Sequence, residues 1–318
     1  MKLLITGANG FIGRACTQYF SDQHEVNACV RKITSSSSLK YSSVCFFEQA
    51  LSMETDWQQA LKGVDAVIHC AARVHVMKEN AADPLNQFRL INTSATLHLA
   101  NQASKYGVKR FIYLSSIKVN GEKNLPGQPF TADDQPQPSD PYAISKSEAE
   151  SGLLEIAKNS SLQVVILRPP LVYGPGVKGN FDRLIRVIDS QWLLPLAGIR
   201  NKRTLVAMDN LLNFIDVCLT HPNAANQVFL VGDCESPSTT KLIELIANAR
   251  HKQTRLFWLP SALLHFAGSV FGKKAVIERL TDSLQLDISK NQKLLDWSPP
   301  VKLSEAIDRY FSSGIKKV

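Results

Sequence analysis

Ile5-Thr6-Gly7-Ala8-Asn9-Gly10-Phe11-Ile12-Gly13 sets three glycines at a spacing of three between two differently patterned segments. Lys2-Leu3-Leu4-Ile5 in front is a short apolar run, the pattern of a strand buried on both faces. Behind it, Phe11, Ile12, Ala15 and Tyr19 recur at near-helical spacing. The glycines therefore lie where a strand becomes a helix. A helix N-terminus offers unpaired N–H groups and the positive end of its dipole, so such a turn can hold phosphate. Gly7 permits the tight turn, Gly10 lets a pyrophosphate approach the backbone, and Gly13 lets the helix lie close to the strand.

Outward from this turn the first half of the chain alternates between two periods. Strand patterns cover 2–6, 25–30, 44–48, 65–70, 110–115 and 163–168, and helical patterns cover 11–22, 55–62, 85–106 and 141–158. Alternation of this kind predicts an α/β fold, a doubly wound parallel sheet with helices on both faces. Residues 31–43, with serines at 35–38, read as an exposed loop, and 120–140 as a long loop before a helix. After about residue 170 the alternation fades. Helical patterns at 180–190, 209–220, 239–250, 261–272 and 303–312, with short strands near 204–207 and 227–231, predict a smaller, mostly helical C-terminal lobe. The expected division is a dinucleotide-binding part, 1–170, and a substrate lobe, 171–318, with the chain free to cross back.

Composition narrows the class. The chain has 318 residues, 44% of them hydrophobic and 20% charged, which describes a soluble protein with ample core. The first ten residues read as a strand and turn rather than a signal peptide, and no apolar stretch reaches the roughly 18 residues that cross a bilayer. Six scattered cysteines without CxxC or zinc spacing predict reduced thiols, a cytoplasmic setting and no metal site. The net charge of +8 fits phosphorylated small molecules better than nucleic acid, because no basic block is interleaved with aromatics. Lys273-Lys274 and Lys316-Lys317 read as solvated pairs.

Tyr142-Ala143-Ile144-Ser145-Lys146 is the second informative stretch. Asp140 and Pro141 before it form a helix start, with Asp140 as N-cap. Tyr142 and Lys146 are four apart and share one helix face. An ammonium beside a phenol stabilises the phenolate, so the pair can move a proton at a hydroxyl or carbonyl. The same two residues also fit an ordinary surface pair. Ser115 and Ser116 close the fifth strand pattern, at the sheet edge where ligands of open α/β sheets bind. Ser116 can there bond the oxygen that Tyr142 protonates.

With these residues the chain resembles the extended short-chain dehydrogenase/reductases, in the nucleotide-sugar epimerase/dehydratase branch. The matching pieces are TGANGFIG (6–13), HCAA (69–72), Asn92, LSSIKVNG (114–121), YAISK (142–146) and RPPLVYGPG (168–176). The resemblance runs to about residue 300 and implies a Rossmann-type fold. It implies that Gly7, Gly10 and Gly13 hold the cofactor pyrophosphate, that Ala71 and Ala72 line the adenosine or nicotinamide ribose, and that Phe11, Ile12, Asn92 and Pro169 also bind the cofactor. It also implies that Tyr142 is the acid/base, that Lys146 binds the nicotinamide ribose and tunes Tyr142, and that Ser116 orients substrate. A homodimer through the Tyr142 helix and the 85–106 helix is expected.

Departures from the family pattern narrow the chemistry. Dehydratases of the branch carry Asp-Glu after the serine or threonine, and another type carries a Cys there for epimerisation at C3 and C5. Here Ile117 and Lys118 follow Ser116. What remains is hydride transfer at one carbon, either a 4-ketoreductase or a 4-epimerase. Arg31, at the end of the second strand where NAD users carry an acid, suits the 2′-phosphate of NADP, although it also fits a solvated loop. NADP is the expected cofactor, with NAD possible. That tilts the reading toward reduction of a UDP-4-keto-6-deoxyhexosamine in surface polysaccharide synthesis. The alternatives are a UDP-glucose or UDP-N-acetylglucosamine 4-epimerase, and a carbonyl reductase on a hydrophobic small molecule. Asn180, Arg203 and Arg279 match the branch's diphosphate-binding positions, although each also fits a surface pair. The apolar stretch 261–272 is too short to span a bilayer. It reads as a helix packed in the lobe's core, with contact to a membrane surface as the alternative.

Overall fold

Residues 1–33, 43–74, 83–125 and 127–312 are described by the computed structural model. Most of the serine-rich loop 31–43 and the Lys316-Lys317 pair lie outside the described residues.

The elements follow in the order β1 (Lys2–Thr6), α1 (Phe11–Phe20), β2 (Glu25–Val30), β3 (Val44–Glu48), α2 (Gln58–Leu61), β4 (Ala66–His69), α3 (Pro84–Phe88), α4 (Ala95–Lys105), β5 (Arg110–Leu114), α5 (Pro141–Lys158) and β6 (Gln163–Arg168). After them come β7 (Leu171–Tyr173), α6 (Asn180–Asp189), β8 (Leu205–Ala207), α7 (Met208–Thr220), β9 (Gln227–Leu230), α8 (Thr239–Ala249), α9 (Ser261–Val270), α10 (Lys274–Thr281), α11 (Ser289–Leu295) and α12 (Leu303–Ser312). Seven strands form one sheet in the order β3-β2-β1-β4-β5-β6-β9. Every pairing in it is parallel, as the alternation predicts.

The period of the strands divides the core in two. Leu3 and Ile5 of β1 join Val26, Ala28, Ile112 and Val165 on one face, covered by Phe20 of α1 and by Leu211, Phe214 and Ile215 of α7. Leu4 joins Val67, Phe111 and Val164 on the other face, covered by Leu99 of α4 and Leu153 of α5. Burying side chains of this size contributes about 1.5–3 kcal/mol each. A third cluster, with Tyr173, Phe181, Ile185, Ile243, Ile246 and Ile307, forms the helical C-terminal part. Phe11 packs against both this cluster and the first sheet face.

Several elements differ from the sequence reading. The 227–231 strand does not stay in the lobe. As β9 it pairs with β6 and completes the sheet, and α7 returns with it. Residues 204–207 shorten to β8, which pairs with β7 in a two-stranded sheet. The long 85–106 helix is interrupted by a π-helical turn over Arg89–Ser94. A helix also forms at 261–270, but it is not a core helix: only Leu264 and Gly268 are buried. The apolar content that suggested burial lies mostly on its outward side.

Candidate active site

Parallel strands bring their C-terminal ends to one edge of the sheet, and the glycine turn opens there. Gly7 has φ +67°, and a Cβ on it would lie 2.9 Å from the Ala71 backbone. A Cβ on Gly13 would lie 2.1 Å from the Gly7 carbonyl oxygen. These two positions exclude side chains, for the reasons of turn and close packing read from the sequence. Gly10 N-caps α1 without any side-chain acceptor, so the first N–H groups of the helix, from Phe11 and Ile12 onward, are left to an anion at the helix end. A cradle that a Cβ would fill, capped by free N–H groups, fits a dinucleotide pyrophosphate. Arg31 follows β2 at the same edge and is exposed.

A buried chain of hydrogen bonds supports the next turn. Thr6 Oγ1 bonds His69 Nδ1 at 2.7 Å, and His69 Nε2 bonds Thr96 Oγ1 at 2.9 Å. Thr6 Oγ1 also accepts from Ala71 N at 3.2 Å, so Ala71 and Ala72 leave the sheet in a set direction. Burial, and then the nearby Lys146 charge, push the His69 pKa down to about 3, so this imidazole is a neutral brace. Asn92, in the π-helical turn, is almost fully buried. Its Oδ1 accepts from Arg73 N at 2.8 Å, and its Nδ2 donates to Arg73 O and Ser145 Oγ, each at 3.0 Å. The wider turn lets one side chain tie the loop after β4 to α5. Pro169 likewise gives its carbonyl to Ile117 N at 3.0 Å, bracing the turn that carries Ser116.

Asp140 caps α5 by accepting from Ala143 N at 2.7 Å, as expected from the Asp-Pro start. Tyr142 is thereby held at the first turn, edge-on to Phe88 and close enough to Ser116 for that hydroxyl to act on its pKa. Its phenol differs from the expectation of an acidified group. Burial and the Asp140 charge push its pKa up to about 12, with the Ser116 hydroxyl opposing them. Lys146 does not offset this, because its Nζ donates to Leu114 O at 2.8 Å and lies 4.4 Å from the centre of the Tyr113 ring. Lys146 is buried, which lowers its pKa to about 8 against the pull of Glu150.

One turn further along α5 lies a group that the sequence reading passed over. Glu150 is buried and takes three hydrogen bonds of 2.5–3.1 Å from Arg168. Ser115 Oγ donates to the same carboxylate, and Arg168 Nη1 donates to Asn120 Oδ1 at 2.9 Å. This explains why Ser116 rather than Ser115 is the available serine. The signal in the sequence was the spacing of Lys146 and Glu150, one helical turn apart on the buried face.

On the substrate side, Asn180 opens α6 and is exposed. Arg203 Nη1 donates to Asp282 O at 3.0 Å, and its pKa is lowered by burial and also by the Arg279 charge. The two cations are thus near enough for the Arg279 charge to act on Arg203. Among the described residues no hydrogen bond links Asn180 to this pair.

A parallel sheet wound in this order, with the glycine turn on its first strand, is the Rossmann-type arrangement that binds dinucleotides. Within that class the chain belongs to the NAD dependent epimerase/dehydratase family, which matches residues 3–232. It is 43% identical over 307 residues to a UDP-glucose 4-epimerase of Vibrio cholerae, covering 96% of this chain and 92% of that one. A 2-alkyl-3-oxoalkanoate reductase of Stenotrophomonas maltophilia is 30% identical over 71% of this chain and 68% of its own. Among solved structures, a UDP-glucuronic acid 4-epimerase from Bacillus cereus, in complex with NAD, superposes with a TM-score of 0.77 at 25% identity. The superposition covers 98% of this chain and 96% of that one.

Two outcomes follow from the buried charges. Glu150→Met leaves Arg168 buried and unpaired, so urea unfolding should show a loss of about 3–5 kcal/mol, most of it recovered when Arg168→Met is added. Equal losses in the single and double variants would show that Arg168 does not need this partner. For Lys146, the folded pKa of about 8 lies below the ordinary 10.5, so the unfolded chain holds the proton more tightly between these values. Wild-type stability from this group therefore rises with pH across that window. Lys146→Met removes the cost and should be more stable at pH 7 by on the order of 1–3 kcal/mol. Thermal unfolding at pH 7 and above pH 10 should show that gap close.

Proposed function

We propose that this chain transfers hydride at C4 of a UDP-linked sugar, and that its net reaction is reduction of a UDP-4-keto-6-deoxyhexosamine. The reading is carried by Tyr142 and buried Lys146 one turn apart on α5, with Ser116 near enough to act on the Tyr142 phenol and with Ile117 and Lys118 where elimination requires two carboxyl groups. When bound, a nicotinamide cofactor supplies the hydride. Tyr142 keeps its proton at neutral pH, since burial and Asp140 hold its pKa at about 12. A protonated phenol is the form that can neutralise an oxyanion developing at C4. Ser116 shares that oxygen and orients it. Lys146 is anchored on Leu114 O and keeps further N–H donors, which would hold the cofactor ribose. Ile117 is buried and apolar, and Lys118 is bonded to Asp140 and Glu122, so neither serves as a base at C5.

Arg31 favours NADPH, and a consumed cofactor favours net reduction over epimerisation. A second reading, a 4-epimerase that oxidises and re-reduces C4, is favoured by the likeness to the Vibrio cholerae relative over 96% of the chain. Arg203 and Arg279 argue for a diphosphate and against an uncharged carbonyl substrate.

The test is incubation of the purified protein with UDP-4-keto-6-deoxy-N-acetylglucosamine and NADPH, following the absorbance of the reduced cofactor. Stoichiometric oxidation is expected. Tyr142→Phe should lower turnover by about 100- to 10,000-fold while cofactor binding persists. Arg31→Asp should weaken NADPH far more than NADH. Interconversion of UDP-glucose and UDP-galactose with no net cofactor change would replace the reductase by the epimerase. Turnover of no UDP-sugar at all would remove both.

A further inference from the structure

Helix α9 presents its apolar residues the wrong way round for a core element. Its inner side is narrow: Leu264 and Gly268 are buried, and Gly268 lies so close to α10 that a Cβ on it would be 2.6 Å from Ile277 Cγ1. A tight turn joins the two helices, with Gly272 at φ +63° and Lys273 N donating to Gly268 O at 2.7 Å. On the outer side stand Leu263 at 54% exposure, Phe266 at 69% and Val270 at 63%, spaced i, i+3, i+7 as one stripe. Phe271, 75% exposed, extends the stripe, and Lys273 and Lys274 follow it after Gly272. Trp258, just before the helix, is also exposed.

Along the chain that carries the stripe, charge has one sign. From Leu245 to Ile277 the sequence has no Asp or Glu and five Lys or Arg residues. Arg250 is paired with Asp189, and Lys274 lies 3.9 Å from Glu278, the first acid beyond the segment. An exposed apolar stripe of this kind marks a binding surface. A second copy placed on it would bring like charges together, whereas an anionic lipid surface accepts both components. Aromatic and aliphatic side chains enter the acyl boundary, and lysines meet the headgroups. Tryptophan at the edge is the residue favoured at that depth. No helix among the described residues is long and apolar enough to cross a membrane, so the contact would be with its surface.

We propose that the α9–α10 hairpin is a peripheral membrane-docking element that seats this chain on a bilayer carrying anionic lipids. The element adjoins the substrate side, because α10 carries Arg279 in its last turn. It does not depend on which sugar nucleotide is turned over.

The test is co-sedimentation of the full chain with vesicles of phosphatidylcholine alone and of phosphatidylcholine mixed with phosphatidylglycerol. Binding to the mixed vesicles is expected, weakening as salt is raised. Lys273→Gln with Lys274→Gln should lower partitioning by roughly tenfold or more. Phe266→Ser with Phe271→Ser should lower it by at least about tenfold, while circular dichroism and any sugar-nucleotide turnover stay as in the wild type. Failure of the wild type to sediment with the mixed vesicles would overturn the proposal. So would equal binding of wild type and the Phe variant. Self-association in light scattering that the Phe variant abolishes, without vesicle binding, would assign the face to a second copy instead.

Discussion

Glu150 and Arg168 are both buried, and neither charge could stay there alone. Removing one ion from water costs several kcal/mol, so each is held in place by the other. The pair draws in Ser115 from the end of β5 and Asn120 from the turn beyond it. Four separate segments of chain are thereby locked into one register. Lys146 lies one turn before Glu150 on α5, and Tyr142 one turn before that. The stiffness of the helix carries the constraint upward, so the placing of Tyr142 against Ser116 is set from inside the protein. Such a pair gives little net stability over a well-packed apolar replacement. Its contribution is to make one arrangement of the edge far better than its neighbours.

Two other constraints act on the same edge. The glycine turn leaves no space on either side of it, since a side chain at Gly7 would overlap the loop after β4 and one at Gly13 would overlap the turn itself. The Thr6–His69–Thr96 chain ties β1, β4 and α4 together with hydrogen bonds alone, using an imidazole kept neutral by burial. One side of the edge is therefore rigid through exclusion of atoms and the other through satisfied polar groups. On the glycine side the first N–H groups of α1 have no side-chain cap, so a ligand can meet them there.

The sheet was legible because each strand through β6 is a short apolar run set off by a helix of a different period. The glycine turn and the Asp140 cap were legible for a related reason: their requirements are local, a positive φ or one acceptor three residues away. What escaped was non-local. Nothing in Gln227–Leu230 marks it as a partner of β6 rather than of a lobe strand. The interruption at Arg89–Ser94 depends on Asn92 finding Ser145, far along the chain. The Tyr142 phenol was expected to be acidified by Lys146, but its environment is set by burial and by Asp140, neither of which spacing reveals. For 261–272 the composition was read correctly as helix, and only the structure tells which side of it meets the protein.

The late return of β9 bears on how the chain is made. The first six strands of the sheet lie within residues 2–168, but the seventh is synthesised about sixty residues later. At about 5–20 residues per second a ribosome needs roughly 3–12 s to add them. During that interval the outer edge of β6 has its N–H and C=O groups unpaired, and the face awaiting α7 is uncovered. An open parallel edge beside an apolar face is a template for pairing with another nascent chain. Production of this protein in cells is thus most exposed to aggregation at a definite stage, after β6 has emerged and before α7 and β9 can close over it.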